Sequence, residues 1–465
     1  MWKRSVAVAA SFVGIVVGAG FASGMEAMQY FVAYGTDGFY GVILAGVTMI
    51  FAATAFMTFG SYFLADEHNE VFYKVTSKPA AFIMDWSAVA CMFSVGFVMF
   101  AGAGSNLRQS FGWPIWVGAS LMLALMLVVG RFDVDKVSSV IGFATPVLVI
   151  FVLIGAIYSF TQVDVDWAQA SDYAQSEVTR ADGTPFWWLG ALNHTGLNAL
   201  CGVSMALVMA GDEFDTKSSR LGGIIGGFIY VGMLALLVAS LLIQVESVNG
   251  DDMPLLSVIE NVDPVLGFIM TWVIFLMVFN TCLGMFYALA KRLTRKHPEK
   301  FYRVYAIACI VGFVLSFAGF QPLVNSLYPV LGYLGLFVMA VMTAVYLKHR
   351  SELKDEGERR ARAVALASGN VASDDNASER YESSNNGDYD SPGNPAGYAA
   401  HIPAADADDD TDDDTGNDAD DAVAGKDLDE LAGDSNLDDE EFKKALHDEV
   451  DSSDGDERRS LNDLL

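Results

Sequence analysis

Long apolar runs, separated by short polar or charged stretches, recur from the N-terminus to about residue 350. They fall at 5–33, 38–64, 80–104, 114–130, 137–161, 186–211, 219–243, 264–290, 302–318 and 324–347. A hydrocarbon core about 30 Å thick takes roughly 20 apolar residues of helix to cross, so the pattern predicts about ten transmembrane helices. Barrel strands would be shorter and would alternate apolar with polar positions, and lipid offers no partner for an open sheet edge. The expected class is an all-α integral membrane protein embedded in a lipid bilayer. The first run follows Lys3 and Arg4 and continues past residue 30 without a small-residue cleavage boundary, so it reads as a retained span.

The composition combines 53% hydrophobic residues with a net charge of −29, which a single globular body does not do. Counting charge by region resolves the conflict. Residues 351–465 hold 35 Asp/Glu against 10 Lys/Arg, whereas residues 1–350 hold 22 against 18. The reading is a membrane domain over 1–350 and an acidic tail over 351–465. Like charges packed as in DADDDTDDDTGNDADD cannot collapse into a core, so the tail is expected to be disordered. Short helices are expected near 352–367 and 437–450, the second with Leu437, Phe442, Leu446 and Val450 at helical spacing for a partner. Its aspartate-rich, lysine-poor composition resembles haloarchaeal proteins, whose acidic surfaces stay hydrated in salt; that alone explains the acidity. Nucleic acid is excluded as a partner because the tail repels phosphate, and the Asp run lacks calcium-loop spacing. The oligomeric state is left open.

Loop charge orients the spans. With Lys3 and Arg4 on the cytoplasmic side, that side carries 16 Lys/Arg and the other only Arg108 and Arg180. Both termini are then cytoplasmic at the cell membrane, and the loop over 162–185 is an acidic outer loop. Ten spans divide into five and five, and an odd number per half makes the second half enter the membrane inverted. Such a repeat predicts interruptions in spans 1 and 6.

Span 1 contains Gly14, Gly18, Gly20 and Gly24 within eleven residues, with Ser23 among them and Glu26 just beyond. Glycine weakens a helix interior, although Gly14-x-x-x-Gly18 and Gly20-x-x-x-Gly24 also fit a helix-packing face. Glu26 favours a site, since an acid at membrane depth faces a cavity or a partner. Span 6 gathers Asn193, His194, Thr195, Gly196 and Asn198, the place where the repeat predicts its second break. An opened turn frees carbonyls for a cation, and the next half-helix points N–H groups at an anion.

The run GIVVGAGFASGMEAMQYF resembles the opening signature of the YkvI-like membrane protein family, which carries G-A-G-F-A-S-G-x-E there. NTCLGMFYALAKRL and SLYPVLGYLGL support the resemblance, which runs through all ten spans and stops near residue 350. That family looks like a distant branch of the amino acid–polyamine–organocation superfamily, with the LeuT-type fold. The resemblance implies a sodium site made by the carbonyls of Gly14 and Val17 with Asn280 and Thr281, where Asn280 replaces the usual hydroxyl. It also implies substrate contacts from the backbone of Ala22, Ser23 and Gly24, from His194 and Asn198, and from Phe21 as an aromatic gate. Span 5 has no basic residue beyond its entry, which favours Na⁺ over a lysine-type proton mechanism, while Glu26 or His194 could still carry a proton.

The function expected is secondary transport of a small, amino-acid-like organic solute by alternating access, with Na⁺ as coupling ion. The alternatives are a proton-coupled carrier or exchanger, and a transporter-like sensor or scaffold acting through its tail. No HExxH, GxSxG or Walker A run is present, so an enzyme is not expected, and no bound prosthetic group is implied. Cys91, Cys201, Cys282 and Cys309 lie in apolar runs without a CxxC pair and read as core-filling residues. Asp85 is expected to pair with a loop lysine, and Trp187 and Trp188 to sit in an interfacial belt.

Overall fold

A computed structural model of the chain describes residues 2–63, 65, 67–131, 144–211, 216–351 and 353. Among them there are helices and turns and no strand. Apart from Ser351 and Leu353, the acidic tail and its two expected short helices lie outside the described residues. Among the described residues, eight helices are long and apolar enough to cross a membrane, and Ser5–Val16 and Ile115–Val129 are shorter apolar helices. The chain is therefore a multi-pass, all-helical membrane protein.

The first span is α1 (Trp2–Val16), α2 (Ala19–Ser23) and α3 (Met25–Tyr30), leading through a 3₁₀ turn over Val32–Asp37 into α4 (Gly38–Phe63). Next come α5 (His68–Val75), α6 (Lys78–Phe111), α7 (Ile115–Val129), α8 (Ala144–Gln162), α9 (Trp167–Glu177) and α10 (Trp187–Gly211). The remainder is α11 (Thr216–Ile243), α12 (Val245–Val248), α13 (Pro254–Val262), α14 (Pro264–Leu293), α15 (Phe301–Leu315) and α16 (Phe320–Lys348).

Local chemistry sets the ends. At α14, the Asp263 carboxylate accepts from the N–H groups of Val265 and Leu266, Pro264 occupies the first turn, and Lys291 and Arg292 lie at the negative end of the dipole. Pro329 inside α16 has no N–H to give Asn325 O, and that carbonyl accepts from Asp182 N instead, at 3.0 Å.

Packing sorts the spans into two groups. α1 and α4 lie against α10 and α11, while α6 and α7 lie against α14 and α15. The first pair of spans in one half thus meets the first pair in the other, and likewise for the next pair, as a 5+5 repeat demands. Close approach is made by small residues: a Cβ on Gly335 of α16 would stand 1.9 Å from Gly196 O of α10, and one on Gly60 of α4 would stand 2.3 Å from Leu207 O.

Three expectations need correction. Asp85 pairs with Arg292 rather than with a lysine: Arg292 Nη2 donates to Oδ2 at 2.5 Å and Nε to Oδ1 at 3.2 Å, tying α6 to α14. His68 Nε2 of α5 lies 3.4 Å from the same carboxylate. The 162–185 stretch is not simply a loop, for Asp166 accepts from Ala168 N and Gln169 N and starts α9. Finally, α10 runs unbroken through Asn193–Asn198. Thr195 Oγ1 and Asn198 Nδ2 bond back to Ala191 O and His194 O, the carbonyls four residues earlier. The polar atoms of these side chains are engaged by their own helix while its backbone stays helical, and Gly196 serves contact with α16.

Candidate functional site

The break in span 1 is where the backbone leaves its ladder. Gly18 N–H donates to Val16 O at 3.0 Å and Ala19 N–H to Thr281 Oγ1 at 3.3 Å. In an uninterrupted helix those donors would serve Gly14 O and Ile15 O, so both carbonyls are released. Thr281 of α14 is thus in direct contact with the break. Val17 is fully buried at the same point. Thr145 Oγ1 of α8 lies 4.0 Å from where a Cβ on Gly14 would stand. Asn280, half-buried beside Thr281, has no hydrogen bond to the break among the described residues.

One turn further on, Gly24 ends α2 and starts α3 with φ +79°. Only glycine holds that conformation without strain, and a Cβ there would also meet Leu255 N of α13 at 2.9 Å. The N–H groups of this segment are occupied: Ala22 N donates to Gly18 O, Gly24 N to Phe21 O, and Met25 N to Ser23 Oγ. Ser23 Oγ in turn donates to Gly20 O at 2.8 Å. Ala22 and Ser23 are fully buried, and Phe21 lies near Tyr230 of α11 with ring centroids 6.4 Å apart.

Glu26 occupies the centre. Its position on α3 turns the carboxylate back over Gly20, where a Cβ would stand 1.6 Å from Oε1. Its Oε2 lies 3.2 Å from His194 Nε2 and 3.4 Å from Asn198 Nδ2. Tyr230 Oη is 3.3 Å from His194 Nδ1. The set is satisfied when His194 carries its proton on Nε2 and donates to Glu26 while Nδ1 accepts from Tyr230. The imidazole packs against Phe31 and Tyr30, with centroids at 4.9 and 5.5 Å. Glu26, His194 and Asn198, read from sequence as separate candidates, form one cluster across α3 and α10. Glu26 and His194 are buried, at 8% and 2% exposure, and Asn198 is half-buried.

Several participants were not read from the sequence. Tyr230 and Tyr30 contact His194, and Gly20 makes room for Glu26. Both amide atoms of Gln29, one turn beyond Glu26 on α3, are buried without a hydrogen-bond partner among the described residues, as is the Tyr30 hydroxyl. A tyrosine in a span usually signals an interfacial belt, so no local signal separated these two from the rest.

A helical membrane protein whose first span opens at mid-helix onto a buried carboxylate, inside a five-plus-five repeat, has the LeuT-type fold. No protein-family model matches the chain. It is 26% identical over 342 residues to the uncharacterized membrane protein YkvI of Bacillus subtilis (strain 168), covering 73% of this chain and 96% of that one. It is 23% identical over 343 residues to the uncharacterized protein YyaD of the same organism, covering 74% and 97%. The chain is a membrane protein homologous to both. Among solved structures it is similar to Mhp1 in an inward-facing conformation, with TM-score 0.51 and 16% identity over 74% of this chain and 77% of that one. MhsT in complex with L-phenylalanine is equally similar, with TM-score 0.51 and 13% identity over 79% and 89%. At these identities the likeness is one of fold.

Proposed function

We propose that the protein is a secondary active transporter that moves a small, amino-acid-like solute by alternating access, with Na⁺ as the coupling ion. The observation that carries the reading is the opened turn at Val17–Gly18, with its released carbonyls, set beside a buried polar cluster. Released carbonyls and a hydroxyl are hard oxygen donors of the kind Na⁺ takes. Gly14, Val17 and Thr281 would hold it, with Asn280 adjacent. The MhsT complex with L-phenylalanine supports an amino acid as the kind of solute to test first.

The solute site proposed comprises Phe21, Ala22, Ser23, Gly24, Glu26, His194 and Asn198. With the N–H groups of Ala22 and Gly24 engaged, a solute's ammonium at Glu26 is the better-supported contact. The buried, unpartnered Tyr30 hydroxyl adds a donor beside His194. Unpartnered buried polar groups destabilise a fold by roughly 1–3 kcal/mol each, and a polar solute would offset that. The charge asymmetry of the loops supports cytoplasmic termini in the cell membrane.

Binding to the purified full chain tests the proposal, by thermal shift with amino acids and amines in NaCl and in KCl at equal ionic strength. Stabilisation by one solute only in NaCl supports both parts. Stabilisation by a solute equally in both salts removes Na⁺ and leaves the carrier. The pairing of Glu26 with His194 at 3.2 Å favours proton coupling as the second reading, and uptake into vesicles driven by a pH gradient without Na⁺ would establish it instead.

A further inference from the structure

Two of the four cysteines, remote in sequence, meet in the fold. Cys91 of α6 and Cys201 of α10 have their sulfurs 3.2 Å apart, a contact spanning 110 residues of chain. Both are free thiols, with Cys91 buried and Cys201 half-buried. The pair joins the two packing groups, since α6 belongs with α7, α14 and α15 and α10 with α1, α4 and α11. Cys201 stands three residues beyond Asn198 and seven beyond His194, so it extends the same helical face as the central cluster.

The geometry points to a reversible disulfide between Cys91 and Cys201 that fastens α10 to α6 beside the central site and so acts as an oxidative lock. To bond, the sulfurs must close from 3.2 Å to the roughly 2.05 Å of an S–S bond. Cys201, the more accessible thiol, meets the oxidant first. With a diazenedicarboxamide (diamide), its thiolate adds to the N=N bond; the Cys91 thiolate then attacks the Cys201 sulfur. The hydrazine leaves with the two electrons and two protons given up by the thiols, and the S–S bond remains. That the bond arrests function rests on the transporter reading, because alternating access moves one helix group against the other. Formation of the bond does not rest on it.

The test treats the full-length protein in membranes with diamide, caps remaining thiols with N-ethylmaleimide and maps peptides by mass spectrometry without reduction. A peptide pair linking residues 91 and 201, absent from Cys91→Ser and Cys201→Ser and removed by dithiothreitol, is the expected result. Recovery of both cysteines as maleimide adducts after diamide overturns the site, as does linkage of Cys201 to any other cysteine. Amide hydrogen exchange in α1 and α10 should slow on oxidation and recover on reduction. Linkage without slower exchange overturns the lock while leaving the disulfide. Neither measurement uses a solute, so failure of the transporter reading would be seen separately, in the binding panel.

Discussion

At the level of single residues, the site depends on side chains that leave room as much as on those that make contact. Glu26 can fold back towards His194 only because Gly20 has no Cβ. Glu26→Gln keeps the shape and removes the charge. Losing a charge-assisted contact worth roughly 1.5–3 kcal/mol should lower uptake about 10–100-fold while the melting midpoint stays near that of the parent; uptake assays with purified protein in vesicles check both. Gly20→Ala should produce a similar loss by pushing the carboxylate aside, since the obstacle is the end of a flexible side chain rather than backbone. Thr281→Ala removes the hydroxyl that Ala19 N–H meets. It should raise the Na⁺ concentration for half-maximal uptake roughly fivefold, read from a sodium titration; an unchanged requirement would remove Thr281 from the sodium site.

Between elements, two kinds of contact hold the helices. Gly335 of α16 sits on the backbone of α10 at Gly196 and Gly332 on Asn193, and backbone cannot yield as a side chain can. Gly335→Val should therefore destabilise the fold by at least about 1–3 kcal/mol, seen as a lower melting midpoint in detergent. The Asp85–Arg292 pair behaves differently. Removing Arg292 alone leaves a carboxylate with 5% side-chain exposure beside His68 as its one remaining cationic partner among the described residues. Arg292→Met should destabilise by roughly 3–5 kcal/mol, and Asp85→Leu added to it should recover much of that loss; a double-mutant cycle of melting midpoints measures the difference. The span-6 outcome belongs to this scale as well. Asn, His, Thr and Gly in one turn are equally compatible with an opened helix and a closed one. In the closed form Thr195 and Asn198 bond back to their own helix, and Gly196 meets α16. No local feature of the sequence distinguishes these outcomes, because the deciding partner is 136 residues away, where Asn193 Nδ2 donates to Pro329 O.

For the whole molecule, a tail that serves only to stay hydrated contributes nothing to the membrane domain. Removing residues 352–465 should leave uptake and melting midpoint within experimental scatter of the full chain, and a loss of uptake would assign the tail a working role.

The ten spans, the all-helical class and the five-plus-five division were determined by the sequence alone. They follow from hydrophobic length and loop charge, which act against the bilayer rather than against the rest of the chain. The break in span 1 was equally legible, since glycine density and an acid at membrane depth are local properties. Tertiary structure alone decided that span 6 stays closed and that Asp85 meets Arg292. It also decided that Tyr30 and Tyr230 meet His194 beside Glu26, and that Cys91 touches Cys201. Each of these depends on which helix face meets which, and at the level of apolar pattern every face of a buried membrane helix looks alike.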